Sequence, residues 1–412
     1  MKVIIKNLGI LECAKYELGD LTVVCGKNNT GKTIAAYTLY GFFDYWRNWY
    51  DFQIGPMLMQ ELKNKPEIRI IQKQIQRLFV KNLTLAYKQY VTEWLPKVLG
   101  ISPERLTDCN FRLDICWVHS RSLFMKNKTF RWTLPEYGSY IIKTDNKGKN
   151  IQIFQEKEHI PQEFLLDSVQ NLAKYTSPDI IPCVSMIPAD RINAELFSEE
   201  IGNFCNKMYQ QNNSLFQPAN NPFSAENLLL NLSESSSSVR SLLSFWLQLY
   251  SGTMLQKTPV TMFMIDKPEM NLHPENQRVL ARIFARLVNQ GYKVYITTHS
   301  DYIVKELNTL IMLYRHNRNT NRVMKQYGYS EEELLNPAQV RVYMTQQVPV
   351  PKTRTRTRTR TKKAARQIVT DLSFPKYIFV RAKIDELGIY LPTFDDIINE
   401  MNTIQDEILV GD

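Results

Sequence analysis

No apolar run in the 412-residue chain approaches the roughly 18 to 20 residues that a membrane span needs. Met1-Lys2-Val3-Ile4 passes directly into a strand pattern with no targeting segment ahead of it. Both absences predict a soluble, cytoplasmic protein with no membrane contact. Cysteine is scarce: Cys13, Cys25, Cys109, Cys116, Cys183 and Cys205 lie scattered with no CxxC pair. That spacing excludes a dense disulfide framework, argues against a cysteine zinc site and favours reduced thiols. No internal repeat of 20 to 50 residues recurs, which argues against a solenoid.

What is present is the composition of a folded protein. Hydrophobic residues make up 44% and charged residues 22%, so wholesale disorder is excluded. The length suggests two to four structural units. The net charge of +10 is concentrated in one place, because Lys352 to Arg366 holds eight basic residues and no acid. Without that segment 43 basic residues face 41 acidic ones, and the bulk of the chain is nearly neutral.

Short apolar or alternating runs at Val3 to Lys6, Leu11 to Glu17 and Leu21 to Cys25, separated by turn residues, predict three strands. A glycine-bounded loop and a helix from Thr33 to Phe43 follow. Residues about 57–105 are rich in Lys, Gln and Leu at helical spacing and predict a helical insertion. The aromatic and β-branched content of 110–160 suggests strands, and Glu163 to Lys174 and Ala194 to Gln211 return to helix. Thr261 to Ile265 and Tyr292 to Thr297 read as buried strands flanking a helix from Glu275 to Asn289. The apolar positions of that helix are Val279, Leu280, Ile283, Phe284 and Leu287, and strand-helix-strand is the parallel crossover unit. The pattern changes beyond about 311, and an amphipathic helix is expected over about 393–409.

Gly26-Lys27-Asn28-Asn29-Thr30-Gly31-Lys32-Thr33 matches G-x-x-x-x-G-K-[ST] and lies between a buried strand and a helix, where the chemistry needs it. In such a loop backbone N–H groups wrap phosphates, Lys32 neutralises the β and γ oxygens, and Thr33 offers a hydroxyl to Mg²⁺. Downstream, the apolar strand ends in Asp266, whose carboxylate can hold the Mg²⁺ water shell opposite Thr33. Lys267-Pro268-Glu269-Met270-Asn271-Leu272-His273-Pro274 follows, then a helix, then a strand leading to Thr298-His299-Ser300.

The Gly26 to Thr33 loop with Asn28, the Asp266-x-Pro268-Glu269-x-x-Leu272-His273-Pro274 segment and the Thr298-His299-Ser300 end resemble the ABC-type ATPase heads of the SMC, RecF and OLD families. These motifs bracket residues 1 to about 310. The compact head without a long coiled coil most resembles ATPase subunits of bacterial antiphage defence systems, the AriA type of PARIS or the PtuA type of Septu and retrons. The resemblance implies an α/β P-loop NTPase head with a mixed β-sheet, a helical insertion at about 57–105, a signature-helix region at about 160–260 and a small C-terminal extension over 311–412. It implies ATP and Mg²⁺ as ligands, with Gly26, Asn28, Asn29, Thr30, Gly31, Lys32 and Thr33 on the nucleotide and Thr33 and Asp266 at the metal.

It further implies that His299 contacts the γ-phosphate. In such heads a serine at a helix amino terminus reaches the nucleotide of a dimer partner, and Ser236, Ser237 and Ser238 of the run before Val239 to Tyr250 are the candidates; a plain loop or helix cap is the other reading. His273 lies in the family's Leu-His-Pro turn, as a dimer-facing or a structural residue. Ile187-Pro188-Ala189-Asp190-Arg191 resembles an element of related heads, with Arg191 as a sensor or an ordinary ion-pair partner, and Gln53 is a weak candidate for the glutamine loop. The family's water-activating glutamate is replaced by Lys267, and an ammonium cannot accept a proton from water at neutral pH. Glu269, two residues on, is expected to point elsewhere, so the expectation is ATP binding with impaired hydrolysis.

Thr353 to Thr361 alternates threonine and arginine. Arg354, Arg356, Arg358 and Arg360 could neutralise nucleic-acid phosphates, meet an acidic protein or form a solvated spacer, and no interleaved aromatic offers base stacking. The leading functional expectation is an ATP-gated head, a homodimer or higher oligomer, that controls a separate nuclease or toxin effector. The alternative is a DNA repair or recombination ATPase that clamps DNA directly. A self-contained nuclease lacks a downstream domain of sufficient length, and a transporter ATPase lacks its glycine signature.

Overall fold

The computed structural model describes residues 1–51, 53, 67–115, 129–134, 138–145, 150–155, 181–187, 261–348 and 375–390. The chain opens with β1 (Lys2–Leu8), β2 (Leu11–Glu17) and β3 (Leu21–Cys25). Helix α1 (Lys32–Asp44) runs on into a π turn at Tyr45–Trp49. Next come β4 (Glu67–Ile71), α2 (Gln72–Gln89), a second π turn at Tyr90–Trp94 and α3 (Leu95–Leu99). Strands β5 (Asn110–Asp114), β6 (Thr129–Leu134), β7 (Gly138–Thr144), β8 (Asn150–Gln155) and β9 (Val184–Ile187) follow. The later half has β10 (Met262–Asp266), α4 (Pro274–Asn289), β11 (Lys293–Thr298), α5 (Asp301–Leu313) and α6 (Arg318–Tyr327). It ends in β12 (Val340–Gln347), β13 (Tyr377–Arg381), β14 (Lys383–Asp385) and β15 (Gly388–Tyr390).

These elements form two units. The first comprises Met1–Leu18, Gly26–Ile181 and Tyr343–Arg381; the second comprises Gly19–Cys25, Pro182–Val342 and Ala382–Asp412.

In the first unit, β1 pairs antiparallel with β2 and with β5, β13 pairs parallel with β2, and the Tyr343–Gln347 part of β12 pairs antiparallel with β13. The result is a mixed sheet. Beside α1 lies an aromatic core: the Phe42 ring is 5.0 Å from Phe111, 5.1 Å from Tyr87 and 5.4 Å from Tyr90 between centroids. Gly41 is required there by close approach, because a Cβ would sit 2.6 Å from the Tyr90 hydroxyl. That hydroxyl donates to the Thr38 carbonyl at 2.8 Å, which satisfies its polar end inside the core. A separate antiparallel sheet runs β4-β8-β7-β6. It corrects the helical reading of 57–105: residues 67–71 are a strand paired to β8, and the helix starts at Gln72. Pairing with a strand some 80 residues later decides the local state, and helical spacing in the sequence cannot register it.

In the second unit, β3, β11, β10 and β9 are all parallel. Every residue of β3 and β10 is buried, the continuous apolar pattern of strands covered on both faces. Helix α4 packs on β11, β3 and α5 and buries Leu280, Ala281, Phe284, Ala285, Leu287 and Val288. Val279, expected on that face, is 54% exposed instead. Ala281 and Ala285 complete the buried stripe. Arg278 and Arg282 of α4 both donate to the buried Glu306 of α5 at 2.7 Å, and Arg286 donates to Glu333 at 2.8 Å.

The expected boundary near 310 falls inside α5, and part of the chain after it supplies β12 and β13 to the mixed sheet. The signature region about 160–260, except for 181–187, the repeat 352–366 and the helix about 393–409 lie outside the described residues. No helix among the described residues is long and apolar enough to cross a membrane.

Glu306→Ala leaves two arginines without their shared carboxylate and should lower folding stability by about 2 kcal/mol, less than for a fully buried pair because Arg278 is half exposed. Urea denaturation measures this, and a loss below about 0.5 kcal/mol would show that the cluster contributes little.

Candidate functional site

The glycine-rich loop leaves β3 at Gly26 and enters α1 at Lys32. Gly26 has φ 136°, and a Cβ there would collide with the Thr345 hydroxyl; Gly31 has φ 92°, and a Cβ there would collide with the Leu11 side chain. Both glycines therefore meet two demands at once, a backbone that L-residues avoid and a lack of space. Asn29 adopts φ 56°, which asparagine tolerates better than most residues.

The Lys32 side chain, 3% exposed, folds back across the loop. Its Nζ donates to the Gly26 carbonyl at 2.9 Å and the Lys27 carbonyl at 2.6 Å, and lies 3.4 Å from Thr30 Oγ1. Thr30 Oγ1 donates to the Lys27 carbonyl at 2.9 Å and tightens the same loop. Gly31 caps α1 with no side chain, and the helix has no acid in its first turn. A buried ammonium beside an uncapped helix amino terminus is a positive pocket suited to phosphate. Lys27, Asn28 and Asn29 are exposed, and Thr33 is partly exposed at the helix start.

The second unit gathers the other candidates at the carboxyl ends of its parallel strands. Cys25 of β3 stands opposite Thr298 of β11, and Thr297 stands opposite Asp266 of β10. Asp266 is buried, and its Oδ1 accepts a short hydrogen bond from Thr297 Oγ1. Lys267 takes a left-handed backbone, φ 47°, and its N–H donates to the Thr297 carbonyl at 2.9 Å. Asn271 is left-handed as well, φ 62°.

Between these two residues the chain doubles back and delivers Glu269 to the end of β11. Its Oε1 accepts the His299 N–H at 2.7 Å and its Oε2 accepts the Thr298 hydroxyl at 3.0 Å. Sequence reasoning directs Glu269 elsewhere than the water-activating position and names no destination; the structure places its carboxylate on the Thr298 to His299 segment. Pro268 and Asn271 are turn residues and were the available signal, but the destination of the side chain depends on where β11 ends. Burial pushes the Glu269 carboxyl above the ordinary glutamate range; the His299 and Thr298 hydrogen bonds oppose this, and the nearby Asp266 charge adds to it.

His299 thus has its main chain fixed by Glu269. Ser300 caps α5, accepting the Ile303 N–H at 3.2 Å and donating to Gln277 Oε1 at 2.5 Å. His273 is exposed and caps α4, where Glu275 N–H approaches its Nδ1 at 3.5 Å. Gln53 is held by Asn82, which accepts its N–H at 2.6 Å and donates to its carbonyl at 2.9 Å. Ser236, Ser237 and Ser238, Arg191, and Arg354, Arg356, Arg358 and Arg360 lie outside the described residues. No group of three or more His, Cys, Asp or Glu side chains able to hold a metal is found among the described residues.

Residues 142–304 match the AAA ATPase domain family. The match takes in Asp266, Glu269 and His299 and leaves out the loop at Gly26 to Thr33. No curated protein matches the chain. Among solved structures, the SMC head domain from Thermotoga maritima aligns over 74% of this chain and 90% of its own at 10% identity and a TM-score of 0.29. The Smc head domain bound to the C-terminal domain of ScpA derived from Pyrococcus furiosus aligns over 74% and 90% at 9% identity and a TM-score of 0.28. An ATP-binding cassette of an ABC transporter in its ADP conformation gives 74%, 85%, 10% and 0.27. Likenesses of this size carry no weight beside the local geometry.

The raised Glu269 carboxyl yields a pH signature. Above the ordinary value of 4.5 the folded protein holds a proton that the unfolded chain has released, so stability falls as pH rises through the window up to the raised value. Glu269→Gln mimics the protonated side chain and should remove that part of the slope in urea titrations taken across the window. A variant slope equal to the parent's would show that Glu269 has no raised pKa.

Proposed function

We propose that the chain is an ATP-binding ABC-type ATPase head that dimerises through nucleotide and, as sensor or scaffold, controls a separate nuclease or toxin effector in antiphage defence. The observation that carries the nucleotide reading is the buried Lys32 ammonium folded over the carbonyls of a loop whose two glycines are sterically required. An incoming phosphate offers that ammonium stronger, charge-assisted acceptors than the carbonyls it now holds. The match of residues 142–304 to an ATPase domain supports the same reading independently of the loop.

In this reading Thr33 would offer its hydroxyl to Mg²⁺ and Asp266 would hold the ion's water shell, and the bound ion would neutralise phosphate charge. Asp266 is already oriented by Thr297, and His299, whose main chain Glu269 fixes, would contact the γ-phosphate. Ser236 to Ser238 complete the partner's site. Lys267, where a water-activating glutamate is expected, adds a positive charge and no proton acceptor, so the head holds ATP long and turns it over slowly. Slow turnover suits a sensor that signals by staying closed. Arg354, Arg356, Arg358 and Arg360 then serve as a contact for nucleic acid or for an acidic partner. A DNA repair ATPase that clamps DNA directly is the second reading, favoured by the same basic segment.

Lys32→Ala should abolish measurable ATP binding in an equilibrium titration, and unchanged affinity would refute the phosphate-loop assignment. Lys267→Glu should raise steady-state ATP turnover severalfold or more, since general-base help is typically worth about 10² to 10⁴. Turnover no higher than the parent's would show that residue 267 does not face the attacking water.

A further inference from the structure

Helix α6 carries its charges in a way that nothing in the second unit's packing explains. From Tyr314 to Ser330 the sequence contains Arg315, His316, Arg318, Arg322 and Lys325 and no acid. At about 100° per residue, Arg318, Arg322 and Lys325 fall within an arc of about 60° on one side of the helix. The opposite side docks: Met324 is buried in a cluster with Leu313 and Leu334, and Val323 and Tyr329 pack against it. A capping box between Asn317 and Thr320 fixes the start, and Gly328 ends the helix in a left-handed conformation. The cationic face is thus held on a pinned helix and turned away from the core.

The contrast with α4 is informative. Its arginines at 278, 282 and 286 are also spaced along one side, and each meets a carboxylate, Glu306 or Glu333. Among the described residues Arg315, Arg318, Arg322 and Lys325 have no such partner, and the neighbouring His316 faces Glu331 at 3.7 Å. Like charges four apart on a helix repel, and arginine in the first turn opposes the helix dipole. Both features work against the helix in isolation and are relieved by a polyanion.

We infer that the solvent face of α6 binds the phosphate backbone of double-stranded DNA. From residue 318 to 325 the helix rises about 10 Å, and one DNA strand presents a phosphate about every 3.4 Å of axis, so three cations can meet successive phosphates. Asn319, Asn321 and Gln326 flank the cations and are exposed, and such amides donate to phosphate oxygens and base edges. Tyr327, 62% exposed at the end of the helix, adds a further hydroxyl donor. This site is distinct from the Thr-Arg repeat and does not rest on the nucleotide reading.

The test is fluorescence anisotropy of a labelled duplex of about 30 base pairs with the full chain, with and without ATP and Mg²⁺, over a series of salt concentrations. The variant R318Q/R322Q/K325Q keeps helix-forming residues on an exposed face. It should weaken binding at least tenfold near physiological salt and lower the log-log salt slope by about 0.9 for each lost contact. A control triple, K81Q/K88Q/R105Q, makes the same change in net charge at exposed positions of the first unit and should leave the slope unchanged. Equal slopes for the parent and the α6 variant overturn the proposal, as does an equal loss in the control. Capture of an acidic polypeptide by the parent without any duplex affinity overturns it in favour of a protein partner.

Discussion

The hydrogen-bonded register between β10, β11 and β3 is the constraint on which the chemistry depends. Parallel strands that end in step place their last side chains at one edge, and here Asp266 falls beside Thr297 and Cys25 beside Thr298. The glycine-rich loop starts at the next residue of the chain, Gly26. A slip of one residue in β11 would turn Thr297 away from Asp266 and reverse the face of every side chain in the strand. The buried apolar faces of β3, β10 and β11 make such a slip costly, and in this sense the core specifies the site.

Lys267 and Glu269 hold the turn after β10 in different ways. Lys267 accepts a left-handed backbone, a strained state for a lysine, and its amide ties the turn to β11. Glu269 provides a carboxylate, but both of its oxygens are engaged in holding the Thr298 to His299 segment. The turn is therefore pinned to β11 at two of its residues. Both the backbone of the turn and the side chain of Glu269 are thus tied to β11.

Local patterns carried much of this into view. The strands β1, β2 and β3, the loop, α1, and the β10-α4-β11 unit were legible because each depends on contiguous residues and on turn chemistry between them. Three features were not. The strand β4 depends on β8, the direction of Glu269 depends on where β11 ends, and β13 joins β2 across more than 350 residues of chain. Val279 shows the same limit on a small scale, because a helical period identifies a face only to within about one residue, and the alanines decide the rest.

Strand β12 links the beginning of the chain to its end. The Tyr343 hydroxyl accepts the Glu17 N–H at 2.8 Å, the Lys376 ammonium donates to the Gly9 carbonyl at 2.8 Å, and Thr345 lies against Gly26. Each of these contacts closes a loop of more than 300 residues, which carries an entropic cost. During synthesis the β1-β2 hairpin and the glycine-rich loop therefore emerge long before the strand that packs against them. The segment Gly26 to Thr33 is thus made long before residue 345, and its packing against Thr345 waits on more than 300 further residues.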